Sequence, residues 1–308
     1  MKHNKLAPTV TVLAAVLALA SGCSKTSGVG GTSGDATPET LKVNAEFAKN
    51  LNLADQQDFE NAKKGFIAKP TGKLVQPDGT VLKDFDVYRF LDGKPADTVN
   101  PSLWRHAQLN ANIGLYKVMD GVYQLRGFDI ANMTLIDGKT GWILVDPLTA
   151  RESSKAALEF ARQHLGNKPV SAIIFTHAHA DHYGGILGVV SPEEVAQRKL
   201  PIIAPEGFME EATSENVLVG TGMARRSMYQ FGKNLPRNAT GNVDTGLGKD
   251  VVYGSIGILP PNALITKPTQ PMQVDGVEFV FHNVPSAECP AELSFSIPAL
   301  KLYDGAEN

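Results

Sequence analysis

Four metal-binding side chains occur within six residues of the chain: His177, His179, Asp181 and His182. Imidazole and carboxylate groups together suit Zn²⁺ or a similar divalent ion. Side chains two positions apart do not share a helix face, so His177 and His179 converge on one ion only if a loop carries them. Asp181 and His182 can then turn toward a second ion. The spacing therefore predicts a metal site on a loop, and an accidental histidine cluster is the weaker interpretation.

Short apolar runs must position this loop. Residues 170–175 predict a buried strand directly before the motif, and residues 151–164 predict an amphipathic helix that leads into it. Further strands are predicted at residues 115–118, 122–125, 133–136, 142–145, 274–280 and 293–297, and helices at 39–53 and 55–66. Asp146 follows the strand at 142–145, where it either orients a histidine ligand or forms a turn. The alternation of strands and helices predicts an α/β fold.

The amino terminus is distinct in composition. A basic start and an uncharged apolar stretch predict an export signal over residues 1–23. The run Leu19-Ala20-Ser21-Gly22-Cys23 resembles a bacterial lipoprotein box, with Cys23 as the lipidation site; the alternative is an ordinary cleaved signal. We therefore expect a periplasmic lipoprotein that touches the membrane only through its lipid anchor.

Composition also divides the remaining chain. Residues 24–37 are rich in Gly, Ser and Thr and predict a flexible tether. Residues 38–113 are predicted to form a helical amino-terminal extension, and residues 114–308 the catalytic domain. The 29 basic and 32 acidic residues give a net charge of −3, which argues against nucleic acid as a partner.

The segment from His177 to His182 is similar to the HxHxDH signature of the metallo-β-lactamase superfamily. Longer segments resemble the alkyl sulfatases that hydrolyse dodecyl sulfate, among them Gly127-Phe128-Asp129-Ile130-Ala131-Asn132-Met133-Thr134, Asp146-Pro147-Leu148-Thr149 and Asp244-Thr245-Gly246-Leu247-Gly248-Lys249. The resemblance runs from about residue 38 to the last residue. It implies an αββα sandwich with a small-molecule alkyl sulfate as substrate.

The same resemblance implies a pair of zinc ions held by the four motif residues, two later acidic residues and a still later histidine. The acidic positions match Glu288 and Glu307, with Glu292 as the second choice for the first of them. His282 precedes Glu288, so it is a poor match for the histidine that should follow Glu307. Asp181 would help to hold the water that the zinc pair activates for attack on the ester.

Three arginines, Arg225, Arg226 and Arg237, are candidates for attracting the anionic headgroup, and residues 217–223 for lining a path for the alkyl chain. Family members continue well beyond the position of Asn308 and form homodimers, so we expect this sequence to be a fragment or a shortened form, incomplete at its carboxyl terminus. Two alternatives remain open: another hydrolase of the same fold acting on a lactam, thioester or phosphoester, or a non-catalytic metal-binding lipoprotein.

Overall fold

The computed structural model describes residues 35–307. The predicted signal, Cys23 and most of the predicted tether lie outside these residues. Within residues 35–307 no helix is both long enough and apolar enough to cross a membrane.

Eight α-helices occur in this part of the chain: α1 (Pro38–Ala48), α2 (Gln57–Lys63), α3 (Pro101–Asn110), α4 (Arg151–Leu165), α5 (Ala180–Tyr183), α6 (Pro192–Arg198), α7 (Phe208–Thr213) and α8 (Gly220–Gln230). The strands are β1 (Phe66–Ala68), β2 (Lys73–Val75), β3 (Val81–Asp84), β4 (Gly114–Met119), β5 (Val122–Arg126), β6 (Met133–Asp137), β7 (Trp142–Val145), β8 (Val170–Ile174), β9 (Ile202–Pro205), β10 (Ala263–Ile265), β11 (Thr269–Val274), β12 (Val277–Asn283), β13 (Leu293–Ile297) and β14 (Leu302–Asp304). A π-helical turn spans Ser214–Leu218 between α7 and α8.

Two larger sheets carry the fold. The first has eight strands in the order β1-β4-β5-β6-β7-β8-β9-β10, and the second has four in the order β11-β12-β13-β14. Strands β7 to β10 pair in parallel, whereas β1 and β4 to β7 pair antiparallel. Parallel neighbours need a crossover, and α4 supplies it between β7 and β8. The carboxyl ends of β7 and β8 therefore lie side by side.

Two hydrophobic cores flank the eight-stranded sheet. Leu144 and Ile173 face the core shared with α4, whereas Ile143 and Ile174 face the core shared with the four-stranded sheet. Strands buried on both faces have continuous apolar sequences, which explains the unbroken runs in β7 and β8. The described residues thus form the two facing sheets and one helical layer of the predicted αββα sandwich.

The amino-terminal extension joins this architecture through a sheet contact. Strand β1 pairs antiparallel with β4, and Gly65 directly before it has φ +71°. A Cβ at Gly65 would overlap the carbonyl oxygen of Lys117 in β4. Glycine is therefore required where the extension turns onto the sheet.

Most predicted elements are confirmed: β4, β5, β6, β7, β8, β13 and α4 lie where the periodicity placed them. The single strand predicted over residues 274–280 is wrong, because Asp275 and Gly276, both with positive φ, form a hairpin turn between β11 and β12. The two predicted amino-terminal helices are shorter than expected. The first ends at Ala48, and Phe66 at the end of the second belongs to β1.

Candidate metal centre

The metal motif lies at the carboxyl end of β8, beside the carboxyl end of β7. Asp146 follows β7 with φ 54°, and its Oδ1 accepts a hydrogen bond from the amide of Thr176 at 2.8 Å. His177 then begins the motif, and Asp181 and His182 fall in the short helix α5. The left-handed backbone at a non-glycine residue is a strained conformation, and here it aims a carboxylate at the motif.

Two groups of side chains could each hold one ion. The first contains His177, His179, Glu288 and Glu307, and the second contains Asp181, His182 and Glu307; within each group the ligand atoms all lie within 4.8 Å of one another. Glu307 belongs to both groups. A carboxylate has two oxygens, so Glu307 could bridge two ions.

Distances in the first group are those of ligands around one point. Glu288 Oε2 lies 2.9 Å from His179 Nδ1 and 3.3 Å from His177 Nε2, and the two ring nitrogens are 3.0 Å apart. Burial and the neighbouring imidazoles of His182 and His179 lower the pKa of His177 to about 2. His177 is therefore neutral, which is the form that binds a metal.

The surroundings of His182 show whether the second group fits a metal ion. His182 Nε2 is buried and has no hydrogen-bond partner among the described residues, although Asp181 Oδ2 and Glu307 Oε1 each lie 3.3 Å away. Buried ring nitrogens are almost always satisfied. A divalent cation between the imidazole and the two carboxylates would satisfy all three, so the residues fit the metal that the motif implies.

Asp146 orients two of the histidines. Its Oδ2 lies 2.8 Å from His182 Nδ1 and accepts the hydroxyl hydrogen of Thr176 at 2.7 Å; the same hydroxyl lies 3.0 Å from His177 Nδ1. Because the Thr176 hydroxyl donates to Asp146, it accepts from His177. Both histidines thus donate a hydrogen bond from Nδ1 and turn Nε2 toward the ligand groups. A carboxylate behind a metal-binding histidine commonly fixes the ring in this orientation.

The remaining candidate ligands, Glu292 and His282, lie outside both ligand groups. Glu292 is fully buried, and its Oε2 accepts the backbone amides of Glu288 and Cys289 at 2.8 and 2.9 Å. It shapes the loop that presents Glu288 and belongs to neither ligand group. His282 lies in β12 with its Nε2 3.3 Å from Ser296 Oγ, and it too is outside both groups.

A cavity of about 860 Å³ opens over the ligand groups. Arg226 is the one arginine or lysine among the described residues that line it. Arg237 instead pairs with Asp250 at 2.7 Å, and Arg225 is not part of the lining. Met223, Phe231 and Leu247 give part of the wall an apolar character. The three predicted arginines are therefore not equivalent, and Arg226 alone faces the cavity.

The expected apolar path over residues 217–223 is only partly placed on the cavity. Met223 lines it, whereas the side chains of Val217 and Leu218 are 72% and 77% exposed. Exposed apolar side chains next to a cavity wall are available to contact an alkyl chain.

Asp129 is a buried carboxylate that joins several segments through hydrogen bonds. The sequence did not single it out as a site residue, although it lies in the segment 127–134 that resembles the alkyl sulfatases. It is 1% exposed. Oδ1 accepts from the amides of Ile130 and Val252 and from the hydroxyl of Thr149 at 2.9, 3.0 and 2.9 Å, and Oδ2 accepts from the Ser153 hydroxyl at 2.5 Å. Ile130 and Thr149 line the cavity, so one buried carboxylate fixes several parts of its wall.

The fold and the metal motif together define a class of metal-binding protein. Comparison with known proteins points to the same class. Residues 126–272 match the family model of the metallo-beta-lactamase superfamily. This part of the chain belongs to that superfamily.

More specific similarity extends over most of the chain. It is 44% identical over 273 residues to an alkyl/aryl-sulfatase of Saccharomyces cerevisiae, which covers 88% of this chain and 42% of that protein. It is 45% identical over 271 residues to an (R)-specific secondary-alkylsulfatase of Pseudomonas sp, covering 87% of this chain and 41% of that protein. The resemblance to alkyl sulfatases predicted from sequence is confirmed.

A solved structure shows the same relation. The stereoselective inverting sec-alkylsulfatase from Pseudomonas sp. superimposes with a TM-score of 0.85 at 44% identity, over 88% of this chain and 43% of that one. The chain thus spans about 42% of the length of the two curated relatives named above.

Proposed function

We propose that this chain forms the metal-binding part of a hydrolase that cleaves alkyl sulfate esters of the dodecyl sulfate type to an alcohol and inorganic sulfate. The observation that carries the proposal is the pair of ligand groups that share Glu307, because five of their six residues line one cavity. Similarity to alkylsulfatases over 88% of the chain supports the choice of substrate class.

Zinc is the proposed metal because the ligands combine imidazole nitrogens with carboxylate oxygens. His177, His179, Glu288 and Glu307 would hold one ion, and Asp181, His182 and Glu307 the other. Bound zinc supplies Lewis acidity, which makes water nucleophilic near neutral pH and stabilises negative charge on the reacting ester. The protein's own part is to keep His177 neutral, to orient His177 and His182 through Asp146, and to shape the cavity.

Arg226 is proposed to attract the sulfate headgroup because no other arginine or lysine is among the described lining residues. Replacing Arg226 by Gln should raise KM for dodecyl sulfate by about tenfold, the scale of one lost hydrogen bond to a charged group, and leave kcat nearly unchanged. Arg225→Gln is the matched control, since this neighbour is outside the lining. Equal KM values for the two variants would show that Arg226 does not bind the headgroup.

A substrate panel tests the reaction itself. The enzyme that contains this segment should release sulfate from dodecyl sulfate and leave nitrocefin and a phosphodiester intact. Hydrolysis of nitrocefin or the phosphodiester without sulfate release would favour another hydrolase of this fold. Zinc binding without hydrolysis of any ester would favour a non-catalytic role.

Export and anchoring are separate proposals that rest on the sequence. We propose that residues 1–23 direct export to the periplasm and that Cys23 carries a lipid. Labelled palmitate should enter the protein, and Cys23→Ser should abolish the labelling. A soluble periplasmic protein without label would contradict the anchor and leave export intact. We also propose a homodimer, which sedimentation of the enzyme containing this segment would test.

A further inference from the structure

The three histidines of the site differ in which ring nitrogen they turn toward the ligand groups. His177 and His182 present Nε2, and their Nδ1 atoms lie against Thr176 and Asp146. His179 is reversed: its Nδ1 is 2.9 Å from Glu288 Oε2 and 3.0 Å from His177 Nε2. Its Nε2 therefore points away from the ligand groups and is open to a different partner.

Glu215 occupies that outer position. Its Oε2 lies 3.8 Å from His179 Nε2, and no other carboxylate of residues 35–307 lies within ion-pair distance of that nitrogen. The separation exceeds a hydrogen bond, but rotation of the partly exposed Glu215 side chain can close it. A neutral imidazole that gives its Nδ1 lone pair to a metal must carry its hydrogen on Nε2, where this carboxylate can accept it.

The backbone around Glu215 is held against the same motif. Glu215 lies in the π-helical turn Ser214–Leu218, closed by a bond from the Val219 amide to the Ser214 carbonyl at 3.2 Å. The next residue, Asn216, donates to Tyr183 Oη at 3.0 Å. Tyr183 ends the short helix α5 that carries Asp181 and His182. Such turns are rare and recur at functional sites, and here consecutive side chains reach the metal loop.

We propose that Glu215 is a positioning residue for His179: its carboxylate accepts the Nε2 hydrogen and fixes the tautomer in which Nδ1 is free for the metal. The inference rests on the metal site of the proposed function. Glu215 does for His179 what Asp146 does for His182, and it comes from a segment remote in sequence from both.

Zinc affinity tests the role directly. Competition with a chromophoric chelator would be measured on the unaltered protein, on Glu215→Ala and Glu215→Gln, and on Glu210→Gln as a control, because Glu210 is an exposed acid on α7. Glu215→Ala should weaken zinc binding by the ligand group that contains His179 by about 10 to 100-fold, the usual effect of losing such a carboxylate. Glu215→Gln keeps an acceptor oxygen and should lose less. Glu210→Gln should bind zinc like the unaltered protein.

Two further measurements separate positioning from folding. Thermal unfolding of the metal-free proteins should be the same for Glu215→Gln and the unaltered chain, and the visible absorption of bound Co²⁺ should change in Glu215→Ala. If the unaltered protein binds zinc tightly and both Glu215 variants bind it equally well, the inference is overturned and the proposed metal site survives. If the unaltered protein binds no zinc, the proposed metal site fails as well.

Discussion

Replacing Asp129 by Ala should destabilise the fold substantially. The side chain is buried and accepts four hydrogen bonds. The hydroxyls of Thr149 and Ser153 can rotate to other acceptors, but the amides of Ile130 and Val252 are fixed. Each unsatisfied buried amide costs about 1–3 kcal/mol. Burial also raises the pKa of Asp129, and removing a desolvated carboxylate offsets part of the loss. The expected net loss is about 3 kcal/mol in the free energy of unfolding.

Asp129→Asn is the matched control. The amide oxygen can keep the three bonds that Oδ1 accepts, and the new NH₂ can donate to Ser153 Oγ, whose hydroxyl already reaches the Ala150 carbonyl at 2.9 Å. The expected loss is about 1 kcal/mol, the scale of one altered hydrogen bond. Equilibrium urea unfolding followed by circular dichroism measures the free energy of unfolding of both variants. The slope of that free energy against urea concentration should be unchanged. An Asp129→Ala protein as stable as the unaltered chain would refute the stabilising role of these hydrogen bonds.

Three more outcomes are expected. Asp146→Asn should weaken zinc binding by about 10 to 100-fold in chelator competition, because its Oδ2 orients His182 at 2.8 Å; unchanged affinity would contradict this. Glu307→Gln should weaken both steps of a zinc titration, since Glu307 belongs to both ligand groups, whereas loss of one step alone would exclude the bridging position. Gly65→Ala should lower the melting temperature more than Gly72→Ala: both have positive φ, but only at Gly65 would the Cβ overlap a backbone carbonyl, and equal shifts would show that the contact is unimportant.

Local patterns predicted much of the fold and the centre of the site. The apolar runs of β7 and β8 and the amphipathic α4 have clear periodicities, and the histidine motif follows β8 directly. The hairpin at residues 275–276 was missed because alternation continues across it, and only the turn residues Asp275 and Gly276 signal the break. Periodicity describes one strand at a time and does not reveal where it reverses.

Long-range partners were harder to predict. The resemblance selected Glu288 over Glu292, and the structure shows the two carboxylates in different surroundings: Glu288 faces the histidines and Glu292 accepts loop amides. Glu215 gave no signal, since a lone acid in a polar stretch is ordinary surface composition. Its position depends on a π-helical turn and on contacts with a loop more than thirty residues earlier in the sequence.

The most direct test of the proposed function is sulfate release from dodecyl sulfate, with metal content measured on the same samples. If the proposal is right, the unaltered protein contains bound zinc and releases sulfate. His177→Ala should lose metal and activity together, because it removes a buried ligand from the first group. His164→Ala, which changes an exposed side chain on α4, should lose neither. Normal turnover by His177→Ala at unchanged secondary structure would contradict the proposed metallohydrolase function.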